Sequence, residues 1–250
     1  MIYYVGDIHA RVSEIEAIDK IACENGVTTI VQVGDFGALW FGTDNNRCEI
    51  AKYFWSRKEG PVWLTCGGNH DNWNAWEQLK LQQGNPDKVE LAPGLFWVTR
   101  GSVVMIEGEK HLFLGGAEST DKVYRIENRT WWKNETPNAK EFERFSIAMD
   151  EEKPDVVVTH DAPVSVSLYR EERAYNTTPN TLDRIFNLAD HKPKRWYFGH
   201  HHVLDKWAIA DTEFYCCGLH GDYLVDGKNL DSSLTDLPAQ AITISQTERT

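Results

Sequence analysis

Asp7 and His9 stand in Gly6-Asp7-Ile8-His9, directly after the apolar run IYYV. Asp35 stands in Gly34-Asp35-Phe36-Gly37 after TTIVQV, and Asn69, His70 and Asp71 follow PVWLTC in Gly67-Gly68-Asn69-His70-Asp71. His160 comes after DVVV in Thr159-His160-Asp161-Ala162-Pro163, and His200, His201 and His202 come after RWYF. Carboxylate, amide and imidazole groups are donors to divalent metals, and this mixture suits Mn²⁺, Fe, Zn²⁺ or Co²⁺ better than Mg²⁺, which prefers oxygen alone. Asp7, His9, Asp35, Asn69, His160, His200 and His202 are too many for a single ion and enough for a pair. Asp35 has two oxygens with which to bridge. Asp7 and His9 are two residues apart and so share one face of an extended segment; His200 and His202 do the same, with His201 turned the other way.

Such chemistry requires the loops to meet, so the elements between them must fold back repeatedly. Residues 12–24, 45–58, 72–82, 138–150 and 181–189 carry apolar side chains at three- and four-residue spacing and are expected to be helices. Strand and helix in alternation predict a largely parallel sheet, and such sheets open into a ligand crevice at the carboxyl ends of their strands, where all five loops lie. The stretch GLFWVTRGSVVMIEGEKHLFLGG interrupts the alternation with three β-like runs joined by short turns, so an antiparallel segment or a second sheet is expected mid-chain. The expected fold is α/β, a layered sandwich of two sheets with flanking helices. No repeat, low-complexity tract or linker divides the chain, and residues 1–250 are expected to form one domain.

The chain has 250 residues, 41% of them hydrophobic, which allows a substantial core. A formal net charge of −12 opposes a broad electrostatic grip on DNA or RNA. No apolar run reaches the roughly 18 residues of a transmembrane helix, and the start MIYYVGDIHA has neither a basic region nor a cleavage site, so the cytoplasm is the expected compartment. The five cysteines are odd in number, lack paired metal-type spacing and are expected to be reduced thiols. Cys66 reads as a small buried residue at a strand end, with a nucleophile as the alternative. Trp40, Phe41, Trp73 and Trp76 flank two of the loops, as core or rim packing or as a stacking wall for a nucleobase. His111, His191 and His220 fall outside the five loops and read as ordinary histidines, with His220 the one able to reach the cleft. AITI, within the polar C-terminal stretch, predicts a final edge strand.

Taken in order, GDIH, GDFG, GNHD, THDAP and GHHH resemble the motif series of the calcineurin-like metallophosphoesterase superfamily, from Asp7 to His202. The stretch GGAESTDKVYRIENRTWWKNE is similar to a bacterial and phage branch of that superfamily with GGA, Ser, Asp, Arg and Trp-Trp in that arrangement. The resemblance implies a four-layer α-β-β-α sandwich of two mixed sheets and a dinuclear centre. One ion would be held by Asp7, His9, Asp35 and His202, the other by Asp35, Asn69, His160 and His200, with Asp35 bridging. The ions, Mn²⁺ ahead of Fe, Zn²⁺, Co²⁺ or Ni²⁺, would acidify a shared water for in-line attack on phosphorus. His70 would protonate the leaving oxygen. Asp71 would either orient His70 or cap the following helix. Arg125 is the candidate guanidinium for the substrate phosphate, against the reading of a solvated surface arginine. The protein serine/threonine phosphatase branch carries an Asp and an Arg after the second motif; this chain has Ala38 and no such Arg, which disfavours that branch. The expected activity is hydrolysis of a small phosphomonoester or phosphodiester, a nucleotide among the options. The alternatives are a nuclease, weakened by the net charge, and a noncatalytic metal-binding scaffold, which should have lost ligands that this chain keeps.

Overall fold

Short β-branched and aromatic runs form two sheets in a computed structural model that describes residues 1–39, 49–167, 175–219 and the backbone of 223–225. The first sheet contains β1 (Ile2–Val5), β2 (Thr29–Gln32), β3 (Val62–Thr65), β4 (Lys88–Ala92), β5 (Leu95–Val98) and β12 (Tyr223–Val225), in the order β12-β1-β2-β3-β5-β4. The second contains β6 (Ser102–Ile106), β7 (Glu109–Leu114), β8 (Val156–Thr159), β9 (Arg195–Phe198), β10 (Leu204–Ile209) and β11 (Thr212–Cys217), in the order β10-β11-β9-β8-β7-β6. Inner strands run parallel, as in β1-β2-β3-β5 and β7-β8-β9-β11, while the outermost pairs on both edges are antiparallel, so both sheets are mixed.

The helices are α1 (Val12–Glu24), α2 (Glu49–Ser56), α3 (Trp73–Gln82), α4 (Ala139–Glu151) and α5 (Thr177–Leu188). Ile15, Ile18, Phe54 and Trp76 from α1–α3 pack on the outer face of the first sheet, and Phe142, Phe145, Leu182 and Phe186 from α4 and α5 pack on the second. Between the sheets lie Tyr4, Val31, Val33 and Leu64 from one and Phe113, Val156, Val158 and Tyr197 from the other. Alternation explains the layers: neighbouring residues of an inner strand such as Tyr3 and Tyr4 are both buried because the inner strands are covered on both faces. The result is the expected four-layer sandwich, α-β-β-α.

Three boundaries differ from the periodicity. The helix expected at 181–189 begins four residues earlier, at Thr177, because Pro179 lies in the first turn, where its missing amide proton has no carbonyl to bond. The one expected at 45–58 is described only for Glu49–Ser56. The expected three β-like runs of the middle segment are β5, β6 and β7; the additional strand β4 precedes them and pairs with β5 in the first sheet. The chain changes sheets between Val98 and Ser102, so this segment opens the second of the two sheets, as one of the two expectations for it had it. Trp40, Phe41, His220 and the AITI stretch lie outside the described residues.

Candidate metal centre

Each expected ligand lies just beyond the end of a strand. Asp7 and His9 follow β1, Asp35 follows β2 and Asn69 follows β3, all in the first sheet; His160 follows β8, and His200 and His202 follow β9, in the second. The two sets are stitched together directly. His160 Nδ1 lies 2.8 Å from the Val33 carbonyl, which it donates to, and the His200 amide donates to Asp7 Oδ1 at 3.2 Å. Donation from Nδ1 fixes the ring orientation and turns Nε2 towards Asn69 Oδ1 and Asp35 Oδ1, at 3.0 and 3.5 Å.

The loops hold unusual backbone. His9, Asp35, His200 and His202 have φ of 48°, 55°, 65° and 56°, in the left-handed region that costs a non-glycine residue about 1 kcal/mol or more. Strain concentrated in one place is retained when the surrounding structure imposes it, as at sites that position reactive groups. Glycine lets these loops close on the carboxylates: a Cβ on Gly68 would stand 2.1 Å from Asp35 Oδ1, and one on Gly199 2.3 Å from Asp7 Oδ1.

The donor atoms form overlapping groups, Asp7 with His9 and His202, His9 with Asp35 and His70, and Asp35 with His160 and His200, each within 4.8 Å. Asp7 Oδ2 lies 3.0 Å from His202 Nε2 and 3.8 Å from His9 Nε2. Asp35 Oδ2 lies 3.9 Å from both His9 Nε2 and His70 Nε2, while its Oδ1 lies 3.5 Å from His160 Nε2. Asn69 Oδ1 is 3.0 Å from His160 Nε2. Asp7 Oδ2 is buried, and among the described residues nothing donates a well-directed hydrogen bond to it. Such an atom costs on the order of 1–3 kcal/mol unless a cation takes its lone pairs. Mixed oxygen and imidazole donors around two buried carboxylates fit divalent cations.

Charge follows the same geometry. Burial opposes ionisation of Asp35, yet His160, His70 and His9 outweigh it and hold the carboxyl well below its ordinary value. Burial likewise opposes the charge on His160, and the adjacent Asp35 overrides it, raising the imidazole to about 10. Contact with Asp7 raises His202. Burial and the negative charge of Asp35 together push Asp71 up to about 7.

Asp71 has a different surrounding from either expected one. Its carboxylate accepts the backbone amides of Phe36, Gly37 and Gly68 at 3.2, 2.7 and 2.7 Å, bracing the loops that carry Asp35 and Asn69 rather than addressing the His70 ring. The cap of α3 is the next residue, Asn72, which accepts the Ala75 amide at 3.1 Å. The motif places two polar residues before the helix, and only the second has the reach to its free amides.

His70 and Arg125 meet at the mouth of the site. Arg125 Nη2 is 2.7 Å from His70 Nε2, and Arg125 Nε is 2.8 Å from Asp121 Oδ1. Asp35, Asn69, His70, Asp121, Arg125 and His200 are among the residues lining a cleft of about 390 Å³. Arg125, open to a surface reading in sequence, is thus a cleft residue. Trp73 and Trp76 are core: their indoles donate to the Gly68 and Ala38 carbonyls at 2.8 and 3.0 Å, and both rings pack on Trp97. Cys66 is buried, which pushes its thiol up and removes it as a nucleophile. His111 pairs with the Tyr4 hydroxyl and His191 with the Pro154 carbonyl, both away from the cleft. His201 packs edge-on against Phe198 while still bordering the cleft. Sequence reasoning gave no role to Ser119, named only within the branch arrangement, and missed Glu135, which stands behind Asn69 with it, and Thr120 and Asn176 on the cleft rim. Ser119 lies within the GGAEST stretch, whereas Glu135 carries no local signal.

Among solved structures the chain is similar to TT1561 of Thermus thermophilus, with 13% identity over 88% of this chain and 89% of that one and a TM-score of 0.54. It is similar to phosphopantetheinyl hydrolase (PptH) from Mycobacterium tuberculosis, with 12% identity over 88% and 90% and a TM-score of 0.51. GAP50, the anchor in the inner membrane complex of Plasmodium, is 16% identical over 87% of this chain and 70% of its own, with a TM-score of 0.50. At these identities the likeness is one of fold. No curated protein matches the chain. The sequence model of calcineurin-like phosphoesterases matches residues 1–204, a span that contains every loop of the site, and the chain belongs to that family.

Proposed function

We propose that this chain is a dinuclear metal-dependent phosphoester hydrolase acting on a small phosphomonoester or phosphodiester. Asp7, His9, Asp35 and His202 hold one ion, and Asp35, Asn69, His160 and His200 hold the other. One observation carries this reading: Asp35 presents Oδ2 to His9 and Oδ1 to His160, so a single carboxylate serves two donor groups. When bound, the ions supply an acidified water and Lewis-acid stabilisation of the phosphoryl oxygens. Mn²⁺ is the proposed pair, with Fe, Zn²⁺, Co²⁺ and Ni²⁺ accommodated by the same donors.

The chain's own residues provide binding and proton transfer. Arg125 offers a guanidinium fork to phosphoryl oxygens, with its Nε anchored on Asp121. His70 delivers a proton to the leaving oxygen from Nε2. In the resting chain that nitrogen faces the Arg125 guanidinium, which has no lone pair to offer, so the imidazole must be the acceptor. Arg125 therefore has to leave His70 for the substrate phosphate, and Nε2 has to take up a proton from solvent, before the imidazole can protonate the leaving oxygen. Ser119, Asp121 and Arg125 all stand at or behind the cleft, which supports the bacterial and phage branch suggested by their spacing.

The test is hydrolysis of aryl monoesters, aryl diesters, cyclic nucleotides and phosphopeptides by the metal-reconstituted chain. Turnover of monoesters or diesters that disappears on chelation and in Asp35→Asn is expected. Two bound metals with no turnover of any substrate would favour the scaffold reading.

A further inference from the structure

Behind Asn69 stands a buried pair whose hydrogen-bond directions are fixed. Ser119 is 3% exposed and Glu135 1% exposed. The Glu135 carboxylate accepts twice from Ser119, with Oε1 taking the backbone amide at 2.7 Å and Oε2 taking the hydroxyl at 2.7 Å. Ser119 Oγ has therefore committed its one proton and can only accept from its remaining neighbour, Asn69 Nδ2, at 3.1 Å. An asparagine amide has two nearly isosteric ends, and here one end is chosen by the carboxylate on the far side of the serine hydroxyl. With Nδ2 committed to Ser119, Oδ1 faces His160 Nε2 at 3.0 Å. Glu135 is itself located by Arg100, a buried guanidinium that donates to the Glu135 carbonyl at 2.7 Å and to the Gly115 carbonyl at 2.9 Å. Arg100 also pairs with Glu141 and lies over the Trp73 ring at 3.7 Å.

We infer that Glu135, acting through Ser119, is a positioning residue that fixes the direction of the Asn69 amide so that oxygen, and not nitrogen, faces the metal pair. The inference rests on Asn69 being a ligand, as proposed above. Amide oxygen is a metal donor and an amide –NH₂ is not, so a flipped Asn69 is the same residue in the same place with its ligand function removed. Exchange of Glu135 for Gln reverses the chain. The Gln oxygen keeps the Ser119 amide, its –NH₂ donates to Ser119 Oγ, and the hydroxyl proton turns to Asn69, where it selects Oδ1.

The experiment titrates Mn²⁺ alone into the full metal-free chain by calorimetry, for the parent, Asn69→Ala, Ser119→Ala and Glu135→Gln, and records metal-free melting temperatures. Partners that orient a ligand typically change metal affinity about 10–100-fold. Glu135→Gln and Ser119→Ala are each expected to weaken one of two Mn²⁺ sites by a factor in that range, leave the other at parent affinity, and affect the same site as Asn69→Ala. Parent-like binding of both ions by Glu135→Gln and Ser119→Ala, with one site lost in Asn69→Ala, would overturn the relay alone. Equal weakening of both sites, together with a lowered metal-free melting temperature, would assign these residues to general packing and also overturn it. Two intact sites in Asn69→Ala would instead remove Asn69 from the ligand set, and the relay with it.

Discussion

His70 Nε2 and Arg125 Nη2 lie 2.7 Å apart, a contact that only a neutral imidazole can make. Burial is the largest influence on His70 and lowers its pKa; Asp35 works against that, and Arg125 reinforces it. Removing the guanidinium in Arg125→Ala should therefore raise the His70 value. NMR titration of the metal-free chain reads this directly, and an unchanged or lower value would mean that the contact does not control the ring.

The role of His70 depends on the leaving group. His70→Asn should retain both metals and lose on the order of 10²–10⁴-fold in turnover of alkyl esters, with a clearly smaller loss on a nitrophenyl ester that departs unaided. Because His70 also groups with His9 and Asp35, metal content must be measured on the same preparation. Equal losses with both esters would move His70 from proton transfer to phosphate or metal positioning.

Asp35 presents Oδ2 to His9 and Oδ1 to His160, and in the proposed assignment it is the ligand shared by the two ions. Asp35→Asn is thus expected to weaken both metal sites, whereas His9→Ala and Asn69→Ala each weaken one. Elemental analysis showing two metals per chain in Asp35→Asn would remove the bridging assignment.

Metal uptake should release protons. In the metal-free chain Asp35 holds His160 at about 10, so at neutral pH the imidazole must lose a proton before Nε2 can bind a cation. Calorimetric heats of Mn²⁺ binding at about pH 7.5 should differ between buffers of different ionisation enthalpy, and apparent affinity should fall by about pH 5.5. Buffer-independent heats and equal affinities would argue against imidazole ligation.

Acid sensitivity has a source outside the cleft. Burial between the sheets lowers His111 from 6.5 to about 4, with the Tyr4 hydroxyl 2.8 Å from its Nε2. The unfolded chain takes up this proton as pH falls through about 6.5, while the folded chain resists until about 4. Across that window stability should decline, by at most about 1.4 kcal/mol per pH unit from this residue. His111→Gln should flatten the dependence of urea-unfolding free energy on pH, and an unchanged slope would place the sensitivity elsewhere.

The strands and helices were legible where periodicity is local: α1 has the bounds its spacing predicts, and the ligand loops end strands as expected. The approach of donors was legible as residue types, since Asp7, His9 and Asp35 can do little else together. What could not be read is direction. The left-handed backbone of Asp35 and His202 is imposed by tertiary contacts and contradicts local preference. The bonds of Asp71 reach Phe36 and Gly37, far along the chain, and its motif position suggested a nearer target. Glu135 joins Ser119 by a contact with no periodic or motif signature, so it becomes visible only once the chain has folded. The place where the second sheet begins, between β5 and β6, was left open by the sequence, because a short turn reads alike whether it closes a hairpin or crosses a layer.

The candidate donors come from both sheets, Asp7, His9, Asp35 and Asn69 from one and His160, His200 and His202 from the other. Neither layer carries a full set for the pair. A cation held by donors of both would act as a clasp across the seam, and prising the layers apart would eject it. On the proposed ligand set, metal retention and sheet adhesion would rise and fall together, with each decade of free metal above its dissociation constant adding about 1.4 kcal/mol to the cost of opening the seam.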